Sequence, residues 1–233
     1  MNARVLVIGA TQGTGNQITN LLLRDGYQVR TLARNEAKAK GKLSSAVEIV
    51  PGDVTKLNTL PSAMKDVNHI IFTAGVTQRA ASERLIMATE YQGVKNTLAA
   101  AKDAGFNGRF LYMTSMGVTK SSLAASLLNL VKRNTLKWRK LAEDEIRRSG
   151  LGYTIIRAGF LMNSQGGRRA IEVSQSEYPL AFRYRISRAD VAEVFVQALK
   201  YPGTRRTTFE VVWTKGGHRQ GWDVLFGQLK PDQ

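Results

Sequence analysis

The sequence predicts an α/β protein in which one parallel sheet is covered by helices on both faces, wound in doubly wound fashion. Short, nearly continuous apolar and β-branched runs recur along the chain, and between them lie segments with apolar residues near i, i+3 and i+4 spacing, as in "VKNTLAAAKDAG". Strands that are apolar on both sides need cover front and back, which a parallel sheet between helices supplies. A further observation is "VIGATQGTGNQI", Val7 to Ile18, where three glycines fall within seven positions directly behind the first apolar run.

Seven strands are expected, in order "RVLVIG" (Arg4–Gly9), "QVRTLAR" (Gln28–Arg34), "AVEIVPGD" (Ala46–Asp53), "HIIFTAG" (His69–Gly75), "RFLYMTS" (Arg109–Ser115), "YTIIRAG" (Tyr153–Gly159) and "TTFEVVW" (Thr207–Trp213). Helices are expected over Gln17–Asp25, Leu57–Met64, Ala88–Ala104, Thr135–Arg148 and Ala189–Tyr201. Gly26, Gly105 and Gly150 stand where helices end, and "SRAD" (Ser187–Asp190) is a capping box that opens the last one.

Composition narrows the function. At 233 residues with 43% hydrophobic content, the chain suits one domain with a single core. No run reaches the roughly 20 apolar residues of a membrane span, and "MNARVLVIG" lacks the charged head and apolar core of a secretory signal, so a cytoplasmic protein is expected. The absence of cysteine excludes a disulfide framework, a thiol nucleophile and thiolate zinc; His69 and His218 alone leave little for an imidazole metal cluster. The net charge of +16 is spread over both halves and suits phosphates, nucleic acid or anionic lipid, or simply a solvated surface.

The glycines fall between the first strand and the first helix, where a dinucleotide-binding, Rossmann-like fold needs them. Gly9 allows the tight turn, Gly13 lets a diphosphate approach the backbone, and Gly15 permits close helix packing. The second strand ends at Arg34, where an NAD-specific site would carry a carboxylate, and none stands between Asp25 and Glu36. A guanidinium there suits the 2′-phosphate of NADP(H); Arg30, within the strand, is expected to snorkel from a sheet edge. Asp53 either accepts from the adenine amino group or caps the next helix. "FTAG" brings Ala74 and Gly75, and "TSMG" brings Thr114 and Ser115, to the carboxyl edge where open α/β sheets bind ligands. Ser115 there either donates to a substrate carbonyl or caps the following segment.

These residues together resemble the atypical short-chain dehydrogenase/reductases with an NAD(P)H-binding, NmrA-like domain. The resemblance runs through "GATQGTG", "GDV", "YQGVKNTLAAAKDAG", "RFLYMTS", "WRKLAEDEIRRSGLGYTIIRAG" and "ISRADVAEV". It implies a single NAD(P)-binding domain over 1–233, with a substrate-side lobe formed mainly by 159–188 and 203–233. The implied cofactor set is Gly9, Thr11, Gln12, Gly13, Thr14, Gly15, Arg34, Asp53, Val54, Ala74, Gly75, Thr114 and Arg139, with the loop Ala158, Gly159, Phe160 and Leu161 against the nicotinamide. Ser115 and Lys140 are the implied catalytic pair.

The dehydrogenase branch of this superfamily carries Tyr-x-x-x-Lys on one helical face. Counting back four from Lys140, Arg139 and Lys137 gives Leu136, Thr135 and Arg133, so the tyrosine is missing. Relatives often have a lysine at the Arg139 position, which leaves the ribose contact to Arg139 or Lys140, while Arg139 and Glu143 are spaced for a surface ion pair. Without the phenol, the resemblance implies an NADPH-dependent reductase of a conjugated small molecule of quinone, flavin or linear tetrapyrrole type, its proton coming from solvent. The alternatives are a non-catalytic NADP(H) redox sensor and a basic RNA-associated protein of the same fold.

"SSLAASLLNLVKRNTLKWRK" (Ser121–Lys140) puts Leu123, Leu127, Leu130 and Val131 on one stripe followed by Lys132, Arg133 and Lys137. That is the recipe for a lid, a homodimer contact, or docking on anionic lipid headgroups. Arg168, Arg169, Arg183, Arg185 and Arg188, interleaved with Phe182 and Tyr184, would suit RNA, although no RNA-binding motif accompanies them.

Overall fold

The computed structural model describes residues 3–78, 80–215 and 219–233, so His218 lies outside the described residues. Its elements are β1 (Arg4–Ile8), α1 (Gly13–Arg24), β2 (Gln28–Ala33), α2 (Glu36–Lys40), β3 (Glu48–Pro51), α3 (Pro61–Met64), β4 (His69–Phe72) and α4 (Glu83–Met87). After a π-helical turn at Ala88–Gln92 come α5 (Gly93–Asp103), β5 (Arg109–Ser115), α6 (Leu123–Val131), α7 (Thr135–Arg148), β6 (Gly152–Ala158) and β7 (Phe160–Met162). The chain closes with β8 (Ile171–Ser174), β9 (Arg185–Ser187), α8 (Arg188–Lys200), β10 (Thr207–Trp213) and α9 (Trp222–Gly227).

Eight strands form the main sheet in the order β3-β2-β1-β4-β5-β6-β10-β8, all parallel except β8, which runs antiparallel to β10. Alternation along each strand feeds two cores. Val5 and Val7 of β1 join Ile18 and Leu22 of α1 and Val194 and Phe195 of α8, while Leu6 and Ile8 join Val94 and Leu98 of α5 and Ala142 and Ile146 of α7. Burial on both faces explains the continuous apolar runs. A third cluster, Met116, Val118, Ala125, Leu136, Leu180 and Val212, seats α6 on the carboxyl side of β5. The Ser187 hydroxyl accepts from the Asp190 amide (2.9 Å) at the start of α8, which is the expected cap.

All seven expected strands are present. β7, β8 and β9 were not expected: they are three or four residues long, β7 and β9 pair only with each other, and β8 alternates apolar with polar residues at the sheet edge. The helix expected from Ala88 begins instead with the π turn, and α5 proper starts at Gly93. Arg30 does not snorkel from an edge, because β3 lies outside β2. It is buried; its Nη1 donates to the carbonyls of Ala63 (3.1 Å) and Lys65 (2.5 Å), and its Nη2 pairs with Glu48 at 2.9 Å.

Candidate active site

The strand order places the crossover between β1 and β4, and the carboxyl ends of β1, β4, β5 and β6 open onto the crevice outside it. The glycine loop forms its floor. Gly9 has φ +96°, and a Cβ on Gly15 would overlap the Gly9 carbonyl oxygen and lie 2.5 Å from the Thr73 hydroxyl, so α1 starts closer to β1 and β4 than any side chain permits. The N-cap residue of α1, Gln12, makes no side-chain cap; its Nε2 donates to the Thr77 hydroxyl (3.3 Å) across the loop after β4. The first-turn amides are thus free for an anion, which the helix dipole favours. Thr14 Oγ1 is buried without a hydrogen-bond partner. These features fit a dinucleotide.

Arg34 is exposed immediately beyond β2 and forms no ion pair with a described acidic residue. Asp53 caps no helix. Its Oδ1 accepts from the Thr55 amide and hydroxyl, both at 2.9 Å, and so fixes the turn after β3 that brings Val54 against Gly93. Thr114 is buried with its hydroxyl unpartnered. Ser115 donates to the Met116 carbonyl (3.0 Å); Ser122, not Ser115, caps α6, accepting from the Ala125 amide at 3.1 Å. Ala158 ends β6 opposite Ser115, Gly159 packs against the Tyr184 carbonyl, and Phe160 and Leu161 continue into β7.

The helix that would carry Tyr-x-x-x-Lys is α7, and the residues four apart at its start are Thr135 and Arg139. Both are bound to one carboxylate: Glu90 Oε2 accepts from the Thr135 hydroxyl (2.6 Å) and from Arg139 Nε (2.9 Å), and Glu90 Oε1 accepts from the Val76 amide (3.0 Å). Glu90 is only 2% exposed. Burial alone would raise its pKa; the Arg139 guanidinium, with the hydrogen bonds from Arg139, Thr135 and Val76, outweighs burial and holds the carboxyl below its ordinary value. A Cβ on Gly75 would stand 3.1 Å from Arg139 Nη2 and 3.3 Å from Glu90 Oε1, so this cluster lies directly beneath the loop after β4. The π turn rotates Glu90 inward, which a helical wheel does not show.

The expected Arg139–Glu143 surface pair does not form. Glu143 is fully buried and holds Arg157 (Nη2 at 2.7 Å, Nε at 3.2 Å) and Arg147 (3.0 Å), because its side of α7 faces β6 rather than solvent. Lys140 is half-exposed and pairs with Asp144 at 3.1 Å. It borders a cavity of about 300 Å³ between α6 and α7, lined also by Gly117, Val118, Ser121, Ala125 and Leu136. Among the described residues no group of three or more acidic or histidine side chains is placed to hold a metal. No helix described is long and apolar enough to cross a membrane.

A Rossmann-like sheet with an uncapped glycine-loop helix at its crossover defines a nucleotide-binding protein of the NAD(P)-dependent class. A family model described as NAD(P)H-binding matches residues 9–202, and the chain belongs to that family of atypical, NmrA-like short-chain dehydrogenase/reductases. It is 31% identical to sanguinarine reductase of Eschscholzia californica, over 89% of this chain and 88% of that protein. It is 29% identical to the chloroplastic protein TIC 62 of Pisum sativum over 85% of this chain, spanning 40% of that longer protein. A putative NAD-dependent epimerase/dehydratase from Bacillus halodurans has the same fold, with a TM-score of 0.80 at 24% identity over 96% of this chain and 99% of that one.

Proposed function

We propose that this chain is an NADPH-dependent reductase of a conjugated small molecule of quinone, flavin or linear tetrapyrrole type. The observation that carries the proposal is the Thr135–Glu90–Arg139 cluster, which occupies the helix face where a proton-donating phenol would stand. With no such donor, the acceptor must itself spread the negative charge left by hydride addition, and a conjugated system does so while solvent supplies the proton. The bound nicotinamide supplies the hydride. Arg34 holds the 2′-phosphate, Arg139 fixes the loop after β4 against the ribose, and the Ser115 hydroxyl orients the acceptor at the end of β5. Lys140, its ammonium paired with Asp144, borders the adjoining cavity. That a relative 31% identical over most of both chains is named a reductase supports this reading.

The purified chain should oxidise NADPH in the presence of at least one member of a panel of quinones, flavins and tetrapyrroles, above the uncatalysed rate. Tight NADPH binding without turnover on any of them would overturn the reductase in favour of a redox sensor.

The apolar stripe of α6 carries a second assignment. Leu123 is 92% and Leu130 79% exposed, Phe182 stands out beside Arg183 and Arg185, and no acidic residue occurs between Asp103 and Glu143 while Lys120, Lys132, Arg133 and Lys137 do. Protruding aliphatic groups ringed by cations fit anionic lipid headgroups. A homodimer contact there would set like charges against each other. The chain should float with vesicles containing anionic lipid and not with neutral ones; sedimentation as a dimer that L123E/L130E dissociates, or retention by single-stranded RNA alone, would overturn the assignment.

A further inference from the structure

Arg30 and Arg157, both buried, and Arg139, one-fifth exposed, each face a carboxylate at 2.7–2.9 Å, whereas the buried Arg109 donates to the carbonyls of Ala198 and Tyr201 and to the Thr204 hydroxyl. Arg188, the first residue of α8, is only partly buried and has no carboxylate partner among the described residues. Its Nη1 donates to Asn163 Oδ1 (2.6 Å) and more weakly to the Leu161 carbonyl (3.4 Å), both neutral acceptors, and no described acidic residue pairs with it. The nearest acid in sequence, Asp190, is fully buried and committed elsewhere. It accepts from the Gly167 amide (2.8 Å), the Ser187 hydroxyl (2.6 Å) and Trp213 Nε1 (2.8 Å), with Arg219 at 3.6 Å.

The guanidinium therefore has no described carboxylate partner and most of its donors uncommitted, and its position is specific. Among the described residues, a Cβ built on Gly13 would meet Arg188 alone within 4 Å, with Nε at 3.7 Å and Cδ at 3.9 Å. Gly13 opens α1, whose first amides carry the positive end of the helix dipole and no side-chain cap. Two positive ends thus stand side by side, an arrangement that is repulsive by itself and favourable once an anion lies between them. We infer that Arg188 is the clamp for the diphosphate of the bound dinucleotide, closing on it from the start of α8 while the glycine-loop amides hold it from the start of α1.

The inference rests on the NAD(P)H-binding site and assigns it a residue outside the glycine loop. It has a structural consequence. Arg188 and its support Asn163 flank the segment that carries β8 and β9, so a diphosphate held by both helices ties this segment to the first βα unit. Cofactor occupancy and order of the substrate-side segment become coupled. Phosphate contact by a guanidinium contributes to NADPH and NADH alike, unlike contact with the 2′-phosphate.

Calorimetric titration of wild type, R188Q and R188K with NADPH, NADH and adenosine 2′,5′-bisphosphate tests this, with amide exchange over 163–188 measured alongside. R188Q should bind NADPH and NADH more weakly by the same factor, roughly 10- to 100-fold. Adenosine 2′,5′-bisphosphate, which lacks the second phosphate of the bridge, should lose clearly less, R188K should recover part of the loss, and NADPH should slow exchange over 163–188 in wild type but not in R188Q. Unchanged affinities in R188Q and R188K, with wild type binding normally, overturn the clamp alone. Weakened NADPH with unchanged NADH also overturns it, by moving Arg188 to the 2′-phosphate. A wild-type chain that binds neither nucleotide overturns the cofactor site and the clamp together.

Discussion

Glu90→Ala tests whether the cluster under the β4 loop is a coupled unit. The substitution removes the acceptor of three hydrogen bonds, from Val76 N, Thr135 Oγ1 and Arg139 Nε, at a site 2% exposed. Breaking a buried ion pair from one side costs about 3–5 kcal/mol. The Arg139 side chain keeps 20% of its surface in water, so the low end, about 3 kcal/mol, applies. Glu90→Gln keeps the shape and one acceptor oxygen and should cost about half of that. In urea, with a slope of about 3 kcal/mol per molar, Glu90→Ala should lower the midpoint by about 1 M. Arg139→Ala should do comparable damage, and the double variant should lose clearly less than the sum. The pH dependence has a definite sign. A carboxyl held below its ordinary value stabilises the fold fully above the unfolded pKa of 4.5, and this is lost as pH falls through the depressed folded value, so wild type and Glu90→Gln should converge in acid. Additive single-variant losses, or a Glu90→Ala midpoint within about 0.2 M of wild type, would refute the coupling.

The cofactor preference rests on Arg34, exposed at the end of β2: wild type should bind NADPH at least about tenfold tighter than NADH. Arg34→Asp should lose NADPH affinity while NADH holds or improves, and equal wild-type affinities in calorimetry would place the 2′-phosphate elsewhere. Arg157→Met leaves the fully buried Glu143 with Arg147 alone and should lower stability by about 3 kcal/mol in urea, and Arg157→Met/Glu143→Leu should recover much of it. His69 is pushed down to about 4 by burial, then by Arg109 and Arg205. The unfolded chain therefore takes up a proton near pH 6.5 that the folded chain takes up only near 4, so stability falls as pH drops through that window. His69→Gln should flatten the denaturation midpoint between pH 6.5 and 4; an unchanged slope refutes the assignment.

The parallel core was legible because its signals are local. Val5 to Ile8 read as a doubly buried strand from four residues, Gly15 marks a contact with Gly9 only six residues away, and Ser187 caps an amide three residues on. The missing phenol was equally legible, since residues four apart on a helix share a face. Neighbours from distant segments were not. Glu90 became the partner of Thr135 and Arg139 only through a π turn, a one-residue change of phase that leaves no mark in the pattern. Glu143 exchanged its helical neighbour Arg139 for Arg157 because α7 packs that face on β6, where a buried carboxylate must find a buried cation. Arg188 sits 175 positions from Gly13 in sequence and beside it in space. The sequence by itself determined the seven parallel strands, the glycine loop between the first strand and the first helix, and the absence of a tyrosine four residues before Lys137, Arg139 or Lys140, because those depend on backbone geometry and periodicity over a few residues. The start of the first helix at Gly13 rather than Gln17 and the three short strands were not legible. Which charges meet was decided by the tertiary structure, because desolvation forces each buried ion to a partner and only packing says which partner is within reach.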